Sequence, residues 1–243
     1  MLRASNRSEE AEPLLQQALT INEQCYGPDH PETAKNRSNI ALLLQSTNRS
    51  AQAESLLRQA LACDEITYGP NHPEVATRLC NLALVLHDTS RSEEAEPLYR
   101  RALLINEKAF GSYHPEVAAV LDNLACLLCN CNRHAEAELL YRRALEIDEK
   151  AYGPDHPKVA IHLNNLGSLL WTTNRPAEAA SLYRRAVGVY LNSARNNLVE
   201  HPEMQGPINN YFLLLKEMGQ SEEQIWLECE KLMREFRIPL APR

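Results

Sequence analysis

The sequence predicts an all-α solenoid of stacked helical hairpins, and two repeating patterns support this fold class. One is a short motif in which an aromatic residue and Gly are followed by His-Pro, with its aromatic member at Tyr26, Tyr68, Phe110 and Tyr152. Each step between copies is 42 residues, and a fixed period of this size indicates a repeat array. The other pattern is the spacing of apolar residues by three and four between the motifs, which is typical of one face of an α-helix.

Composition limits the class of protein before any motif is considered. The chain has 243 residues, of which 44% are hydrophobic and 23% charged, as expected for a soluble folded protein. Its net charge of -7 argues against a general nucleic-acid binder, because such binding depends on clustered Lys and Arg. No apolar run reaches the ~18 residues of a membrane span, and no signal peptide is apparent at the N-terminus. Seven cysteines at irregular spacings favour a reducing compartment, so we expect a cytoplasmic protein with no membrane or nucleic-acid partner.

One period, taken in order, predicts a helix, a tight turn, a longer helix and a loop. The first helix should run from Pro73 to about Thr89, because its leucines recur at spacings of three and four. The second should end before Gly111, since Gly adopts the left-handed conformation that closes a helix. The period divides the chain into a truncated first repeat, four full repeats and a degenerate C-terminal capping repeat, at residues 1–28, 29–70, 71–112, 113–154, 155–197 and 198–243.

Polar residues are predicted to close the helices at both ends. Asp29 with Glu32, and Asn71 with Glu74, have the spacing of a capping box at the start of first helices. A left-handed Asn or Ser is expected at each turn within a hairpin, in the pairs Asn6-Arg7, Asn48-Arg49, Ser90-Arg91, Asn132-Arg133 and Asn174-Arg175. Because the first of these pairs lies near Met1, the opening repeat should lack most of its first helix.

The second helices carry Glu four residues before Arg, in the pairs Glu54/Arg58, Glu96/Arg100 and Glu138/Arg142. This is the favoured orientation for a surface pair, worth ~0.2–0.5 kcal/mol each. These charges therefore indicate a solvated outer face rather than a functional site.

The last repeat departs from the pattern in a way that predicts a cap. His201-Pro202 arrives three residues later than the period requires, and Gln224 and Lys231 occupy columns that earlier repeats fill with Ala. The apolar stripe nonetheless continues at Ile225, Cys229, Leu232 and Phe236. A terminal unit of this kind covers the last apolar face of a repeat array.

The chain resembles the tetratricopeptide repeat family in the placement of its small and aromatic residues. Successive first helices have a small residue between leucines at Ala83, Ala125 and Gly167. Successive second helices share three columns: Ala95, Ala137 and Ala179; Tyr99, Tyr141 and Tyr183; and Ala102, Ala144 and Ala186. The 42-residue length and phrases such as Leu163-Asn164-Asn165-Leu166-Gly167 resemble the kinesin light chain subtype, over about residues 6–190. The resemblance implies a right-handed array whose first helices line a concave groove that holds extended peptides.

One position of the implied groove is occupied by Asn in five successive repeats: Asn39, Asn81, Asn123, Asn165 and, after the three-residue shift, Asn210. Helices pack ~8–10 Å apart, whereas an extended peptide advances ~3.3 Å per residue. The amides would therefore meet a bound backbone about every third residue. Asn offers a donor and an acceptor together, which suits a peptide backbone of any sequence. In the alternative interpretation, each Asn bonds to a neighbouring helix or tolerates exposure.

The neighbours of this column predict the character of the ligand. The groove should be surrounded by Lys35, Gln45, His87, Asp122, Asn164 and Trp171, among others. Of these, only Lys35 and Asp122 carry a full charge at neutral pH, so a basic cluster that would clamp an acidic motif is missing. We expect a neutral, extended and modestly apolar segment. Trp171 should either anchor an apolar side chain of that segment or pack beneath the capping repeat.

Two clusters that suggest metal chemistry have simpler explanations. The recurring histidines (His30, His72, His114, His156 and His201) would lie ~8–10 Å apart in adjacent repeats, too far to share a zinc ion at ~2.0–2.1 Å. They are interpreted as parts of helix-opening loops. Cys126, Cys129 and Cys131 lack a second pair at zinc-finger spacing, so helix packing is favoured over metal or redox chemistry. With no phosphate loop, nucleophile elbow or paired-carboxylate motif, we expect no enzyme activity, no metal and no cofactor.

The predicted function is a protein–protein interaction scaffold that binds an extended peptide or a partner protein in the groove of the first helices. The alternative is a regulatory or self-assembly segment of a longer multidomain protein, for example a signalling ATPase, with no peptide ligand of its own. Self-association of the chain belongs to this alternative.

Overall fold

The computed structural model describes residues 2–197 and 204–236, with side chains for residues 10–195 and 204–236. These residues contain no β-strand and confirm the predicted all-α class. His201 and Pro202 of the predicted cap lie outside them. The helices are α1 (Leu2–Tyr26), α2 (Pro31–Ser46), α3 (Ser50–Tyr68), α4 (Pro73–Asp88), α5 (Ser92–Phe110), α6 (Pro115–Asn130), α7 (His134–Tyr152), α8 (Pro157–Thr172), α9 (Pro176–Asn197), α10 (Gln205–Glu217) and α11 (Glu222–Glu235).

The helices fall into two compact units, residues 1–127 and 128–243, and each is built from helical hairpins. In the first unit α2 packs against α3 and α4 against α5, with Leu79 and Leu82 of α4 and Tyr99 of α5 in the core. In the second unit α8 packs against α9, and their core comprises Val159, Ala160, Leu163, Ala186, Val189 and Tyr190. Apolar spacing along each helix therefore produces the buried faces that the sequence predicts.

Helices α8 and α9 approach closely where the small-residue column has Gly. A Cβ at Gly167 would lie 2.9 Å from Cε1 of Tyr183, closer than a real Cβ is found to any neighbour. The hydroxyl of Tyr183 lies 2.9 Å from Oγ of Ser168 on α8. The small residue and the aromatic ring, which both carry the family resemblance, are therefore direct packing partners here.

The turns within the hairpins use left-handed residues, as predicted. The φ angle is 60° at Asn48, 61° at Ser90, 58° at Asn132 and 59° at Asn174. The second helices end at a Gly that also has a positive φ, 88° at Gly111, but with an extended ψ of 157°. A positive φ thus follows both kinds of helix, at Asn or Ser after the first helices and at Gly after the second helices.

The first helices are capped by His rather than by the residue before it. The backbone N–H of Glu74 donates to Nδ1 of His72 at 3.2 Å, and the same bond recurs at the start of α2, α6 and α8. The ring of His72 also stacks on Tyr68, with centroids 4.6 Å apart. The predicted capping boxes of Asp29 and Asn71 are therefore wrong, because the extended N-cap position falls on His.

Helix α1 also differs from the prediction, since it runs unbroken through the expected Asn6-Arg7 turn. A left-handed residue costs free energy, which the other turns offset by packing two helices together. Among the described residues α1 has no first helix to pack against, so nothing offsets that cost and the helical backbone continues.

The predicted acid–base pairs of the outer face are present and have an additional partner. Arg58 Nη2 lies 2.8 Å from Glu54 Oε1, and Arg91 of the next turn lies 2.7 Å from Glu54 Oε2. Arg91 also bonds to Glu94 of its own helix at 2.7 Å. The same arrangement surrounds Glu138 in the second unit. Within their units, Arg91 and Arg175 therefore each tie their own second helix to that of the preceding repeat.

Candidate functional site

A cleft of about 490 Å³ lies between the first helices α2 and α4 of the first unit. Three of the residues predicted for the groove line it: Lys35 and Asn39 from α2, and Asn81 from α4. Its other lining residues include Glu32, Asp64, Tyr68, Glu74, Thr77 and Arg78. We call this cavity the α2–α4 cleft.

The two Asn side chains of the α2–α4 cleft are available for binding. Asn39 is exposed and Asn81 is half-buried, and in the described part of the chain neither amide is hydrogen-bonded to the protein. Ile40 and Leu82, which follow them in sequence, are buried in the core. The helix thus holds each Asn at the edge of a packed face with two donors and an acceptor unused.

A buried ion pair lies beside the cleft. Nε of Arg78 donates to Oδ2 of Asp64 at 2.8 Å, and the two side chains are 7% and 0% exposed. Arg78 also approaches Oε2 of Glu74 at 3.5 Å. Burial raises the pKa of the Asp64 carboxyl, and the charge and hydrogen bond of Arg78 oppose that rise.

The second oxygen of Asp64 is unsatisfied, since Oδ1 is buried without a hydrogen-bond partner in the structure as described. A buried acceptor in this state costs about 1–3 kcal/mol. Neither Asp64 nor Arg78 is among the residues predicted for the site. The signal that could have found them is a pair of opposite charges in two columns that the next repeat fills with Asn106 and Val120.

The other predicted residues of the first unit lie away from the α2–α4 cleft. The amide of Gln45 donates to the carboxylate of Asp88 at the end of α4. His87 is half-buried in the last turn of α4, and Asp122 and Asn123 are half-buried on α6. The structure therefore brings together only part of the predicted groove set in this cavity.

In the second unit the predicted Asn residues bond to one another. Nδ2 of Asn210 donates to Oδ1 of Asn164 at 2.9 Å, and Nδ2 of Asn164 donates to Oδ1 of Asn165 at 3.3 Å. The first of these bonds joins α10 to α8, as in the alternative interpretation of the column. The Asn column is thus chemically different in the two units.

Trp171 packs against the C-terminal helices, which favours the second of its two predicted roles. Its indole Nε1 donates to Oε2 of Glu217 in α10 at 2.7 Å. Its ring meets Tyr183 edge-to-face, with centroids 6.3 Å apart. A ligand side chain would have to compete with both contacts.

The remaining candidates for chemistry stay separate from one another. No group of three His, Cys, Asp or Glu side chains is placed to hold a metal ion among the residues that the structure describes. None of the seven cysteines, which all lie in the described ranges, forms a disulfide bond, and Cys126 and Cys131 are exposed. Burial raises the pKa of the Cys80 thiol to about 12. Within the same ranges, every helix is too short or too polar to cross a bilayer.

A family model described as tetratricopeptide repeat matches residues 1–66, 74–150 and 125–192. Repeats of this family generally mediate protein–protein interactions and are generally non-enzymatic. No curated protein matches the chain.

Solved structures share the fold at low sequence identity. The chain is similar to BtubC (BKLC) from P. vanneervenii, with a TM-score of 0.72 and 22% identity over 98% of this chain and 94% of that chain. It is also similar to a putative kinesin light chain with nearly identical TPR-like repeats from Podosopora anserina, with a TM-score of 0.67 and 22% identity over 86% of this chain and 96% of that chain. The chain therefore belongs to the tetratricopeptide repeat family, and its fold is similar to that of kinesin light chain-like repeats.

Proposed function

We propose that the protein is an interaction scaffold that binds an extended segment of a partner protein in the α2–α4 cleft. One observation carries this proposal: Asn39 and Asn81 line the same cleft, and neither amide is hydrogen-bonded to the protein within the described residues. Because each amide both donates and accepts, the pair can bond to the backbone of a bound segment whatever its side chains.

The spacing of the helices suits an extended ligand. Equivalent positions on neighbouring helices lie ~8–10 Å apart, and an extended chain advances ~3.3 Å per residue. A segment crossing α2 and α4 would present a backbone group to each amide about every third residue. Asn123, half-buried on α6 in the same unit, continues the column.

The second unit is assigned a smaller part in this function. A ligand would have to break the bonds that link Asn164, Asn165 and Asn210 before using their amides. Exchanging one hydrogen bond for another brings little net free energy. We therefore assign the main contact to the first unit.

The probe for the test is a linear peptide. It is selected from a displayed peptide library by its binding to the immobilised protein. The affinity of one selected peptide is then measured by fluorescence anisotropy. Replacing Asn39 and Asn81 together by Ala should weaken binding about tenfold or more, because each lost hydrogen bond costs about 0.5–1.5 kcal/mol.

Gln59→Ala is the matched control, because this amide is exposed on the second helix α3 and does not line the cleft. It should leave the affinity unchanged. If the Asn39→Ala/Asn81→Ala protein kept its helical circular dichroism and also its full affinity, the α2–α4 cleft would have no part in binding.

Self-association is the second candidate, favoured by exposed apolar residues at the C-terminal helices. Leu213 of α10 and Leu227 of α11 are each 54% exposed, and Trp226 is 37% exposed. If these residues join two copies, light scattering should show a mass that rises with concentration and falls again in Leu227→Ser. A constant monomer mass at high concentration rejects this candidate.

A further inference from the structure

The α2–α4 cleft also contains groups suited to a particular side chain. We propose that it selects a segment carrying Lys or Arg, with the cation held between the ring of Tyr68 and the carboxylates of Asp64 and Glu74. This inference rests on the proposed function, because it names the side chain that the bound segment presents there.

The second unit of the protein holds a cation at the matching place. Lys158 follows the Pro that opens α8, as Glu74 follows the Pro that opens α4. Its Nζ lies 4.8 Å from the centre of the Tyr152 ring and 3.1 Å from the Tyr152 hydroxyl. Tyr152 corresponds to Tyr68, and both rings stack on the His of their motif. The repeat can therefore place an ammonium group beside its motif aromatic.

The first unit has the same ring, with a carboxylate in place of the Lys. Tyr68 is 42% exposed and lines the α2–α4 cleft, and Glu74 stands where Lys158 would be. A cation within ~6 Å of the centre of a Tyr ring is attracted by the negative charge of the ring face. A ligand ammonium or guanidinium bound where the Lys158 ammonium lies in the second unit would be next to the Glu74 carboxylate.

The charges of the cleft favour a cation. Glu32, Asp64 and Glu74 face two basic residues, Lys35 and Arg78. Arg78 is already engaged by Oδ2 of Asp64 at 2.8 Å and by Glu74 at 3.5 Å. Oδ1 of Asp64 is buried and lacks a partner, so it remains an acceptor that a ligand N–H would reach through a water molecule.

The next repeat shows that the fold does not require this ion pair. Asn106 stands in the column of Asp64 and donates from Nδ2 to the carbonyl of Glu116 at 3.3 Å. Val120 stands in the column of Arg78 and is buried. An unpartnered oxygen also occurs in this column at Asn106 and at Asp148, but the one at Asp64 belongs to a charged group that lies in the same cavity as Tyr68 and Glu74. We infer that the charge there serves recognition.

Parallel selections from one displayed peptide library, on the wild type and on Glu74→Lys, test the proposal. The variant copies Lys158, so the ammonium of the protein itself should lie against Tyr68 and exclude the ligand cation. Peptides selected on the wild type should share a Lys or Arg at one position, and those selected on the variant should not. Glu74 is exposed and Lys occupies the same helical position in α8, so the variant should fold.

A second measurement isolates the side chain of the ligand. Replacing the shared Lys of a selected peptide by norleucine should lower its affinity for the wild type about tenfold or more. The same replacement should lower the affinity for Asp64→Asn/Arg78→Val by a smaller factor, because this variant keeps Tyr68 and Glu74 but lacks the Asp64 carboxylate. That variant copies Asn106 and Val120, and it leaves no buried charge without its partner.

The outcomes separate this proposal from the proposed function. Wild-type selections without a shared Lys or Arg, or an unchanged affinity for the norleucine peptide, would overturn the cation site while peptide binding stands. A wild-type protein that enriches no peptide above the unselected library would overturn both.

Discussion

The imidazole of His72 accepts a hydrogen bond from the backbone of α4 and stacks on the ring of Tyr68, the last residue of α3, at a centroid distance of 4.6 Å. One side chain thereby joins the end of one helix to the start of the next. The motif that defines the repeat period therefore caps the start of one helix and packs on the end of the helix before it. It also holds in place the Tyr68 ring, against which we propose that a ligand cation binds.

Replacing His72 by Ala removes both contacts and should lower the free energy of unfolding by about 1–3 kcal/mol, the sum of a cap and a ring pair. His72→Asn keeps a side-chain acceptor for the N–H of Glu74 and should lose only part of this. Urea denaturation monitored by circular dichroism measures both variants. Equal losses in Ala and Asn would show that the cap contributes nothing.

The glutamates of the outer face should make stability depend on acidic pH. Burial alone would raise the pKa of Glu54, but its hydrogen bonds to Arg58 and Arg91 bring it below the ordinary 4.5. A carboxyl with a lower pKa in the folded state stabilises the fold above its unfolded pKa, and that contribution is lost as the pH falls through the folded pKa.

Wild type should therefore lose more stability than Glu54→Gln as the pH falls below about 4.5, by less than about 1 kcal/mol because the group is partly exposed. Urea midpoints measured across this range test the difference. Glu93→Gln, an exposed residue of α5, is the control and should follow the wild type. Parallel curves for wild type and Glu54→Gln would contradict the assignment.

The junction between the last two repeats lacks both partners of the bridging ion pair. Ala180 stands where Glu138 stands one repeat earlier, and Gln220 replaces the turn residue Arg175. Both replacements line a cleft of about 670 Å³ between α9 and α11. Arg184 instead bonds to Glu228 of α11 at 3.0 Å.

Ala180→Glu and Gln220→Arg together should restore the pair and stabilise the protein by about 0.2–1 kcal/mol more than the sum of the single changes. A double-mutant cycle in urea measures this coupling. Strictly additive single changes would show that the two positions do not meet.

A buried pair in the second unit should tolerate a double exchange better than a single one. Nε2 of His162 lies 3.0 Å from Oδ2 of Asp148, and both residues are buried. His162→Val alone leaves the carboxylate without this partner and should cost about 3–5 kcal/mol. Adding Asp148→Asn copies the Asn106 and Val120 arrangement and should recover most of the loss. If thermal unfolding showed the double variant to be as unstable as the single one, the repeats would not be interchangeable here.

The repeat pattern predicts most of the fold, because it depends on residue type and on spacing along the chain, which act locally. The left-handed turns at Asn48 and Ser90 follow from residue type and phase, as do the helix faces. The predicted capping residue was wrong. Asp29 and His30 both lie next to the start of α2, and only the backbone angles decide which side chain reaches the free N–H. The prediction of a turn at Asn6 was wrong, because a left-handed residue needs two packed helices to support it.

The candidate site is harder to read from the sequence, because it depends on which neighbour each side chain meets. Every Asn of the column looks alike in sequence, yet Asn210 donates to the neighbouring Asn164, whereas Asn39 and Asn81 bond to no described residue. Asp64 was missed because a single charge in a second helix resembles the surface charges around it. Comparing repeats column by column would have revealed it.

The central claim, that a bound segment contacts Asn39 and Asn81, is tested most directly by the side-chain amide NMR signals of Asn. A selected peptide should shift the Nδ2 resonances of Asn39 and Asn81 and leave those of Asn164 and Asn210 in place. Shifts confined to the second unit or to Gln59 on the outer face, with Asn39 and Asn81 unmoved, would contradict it.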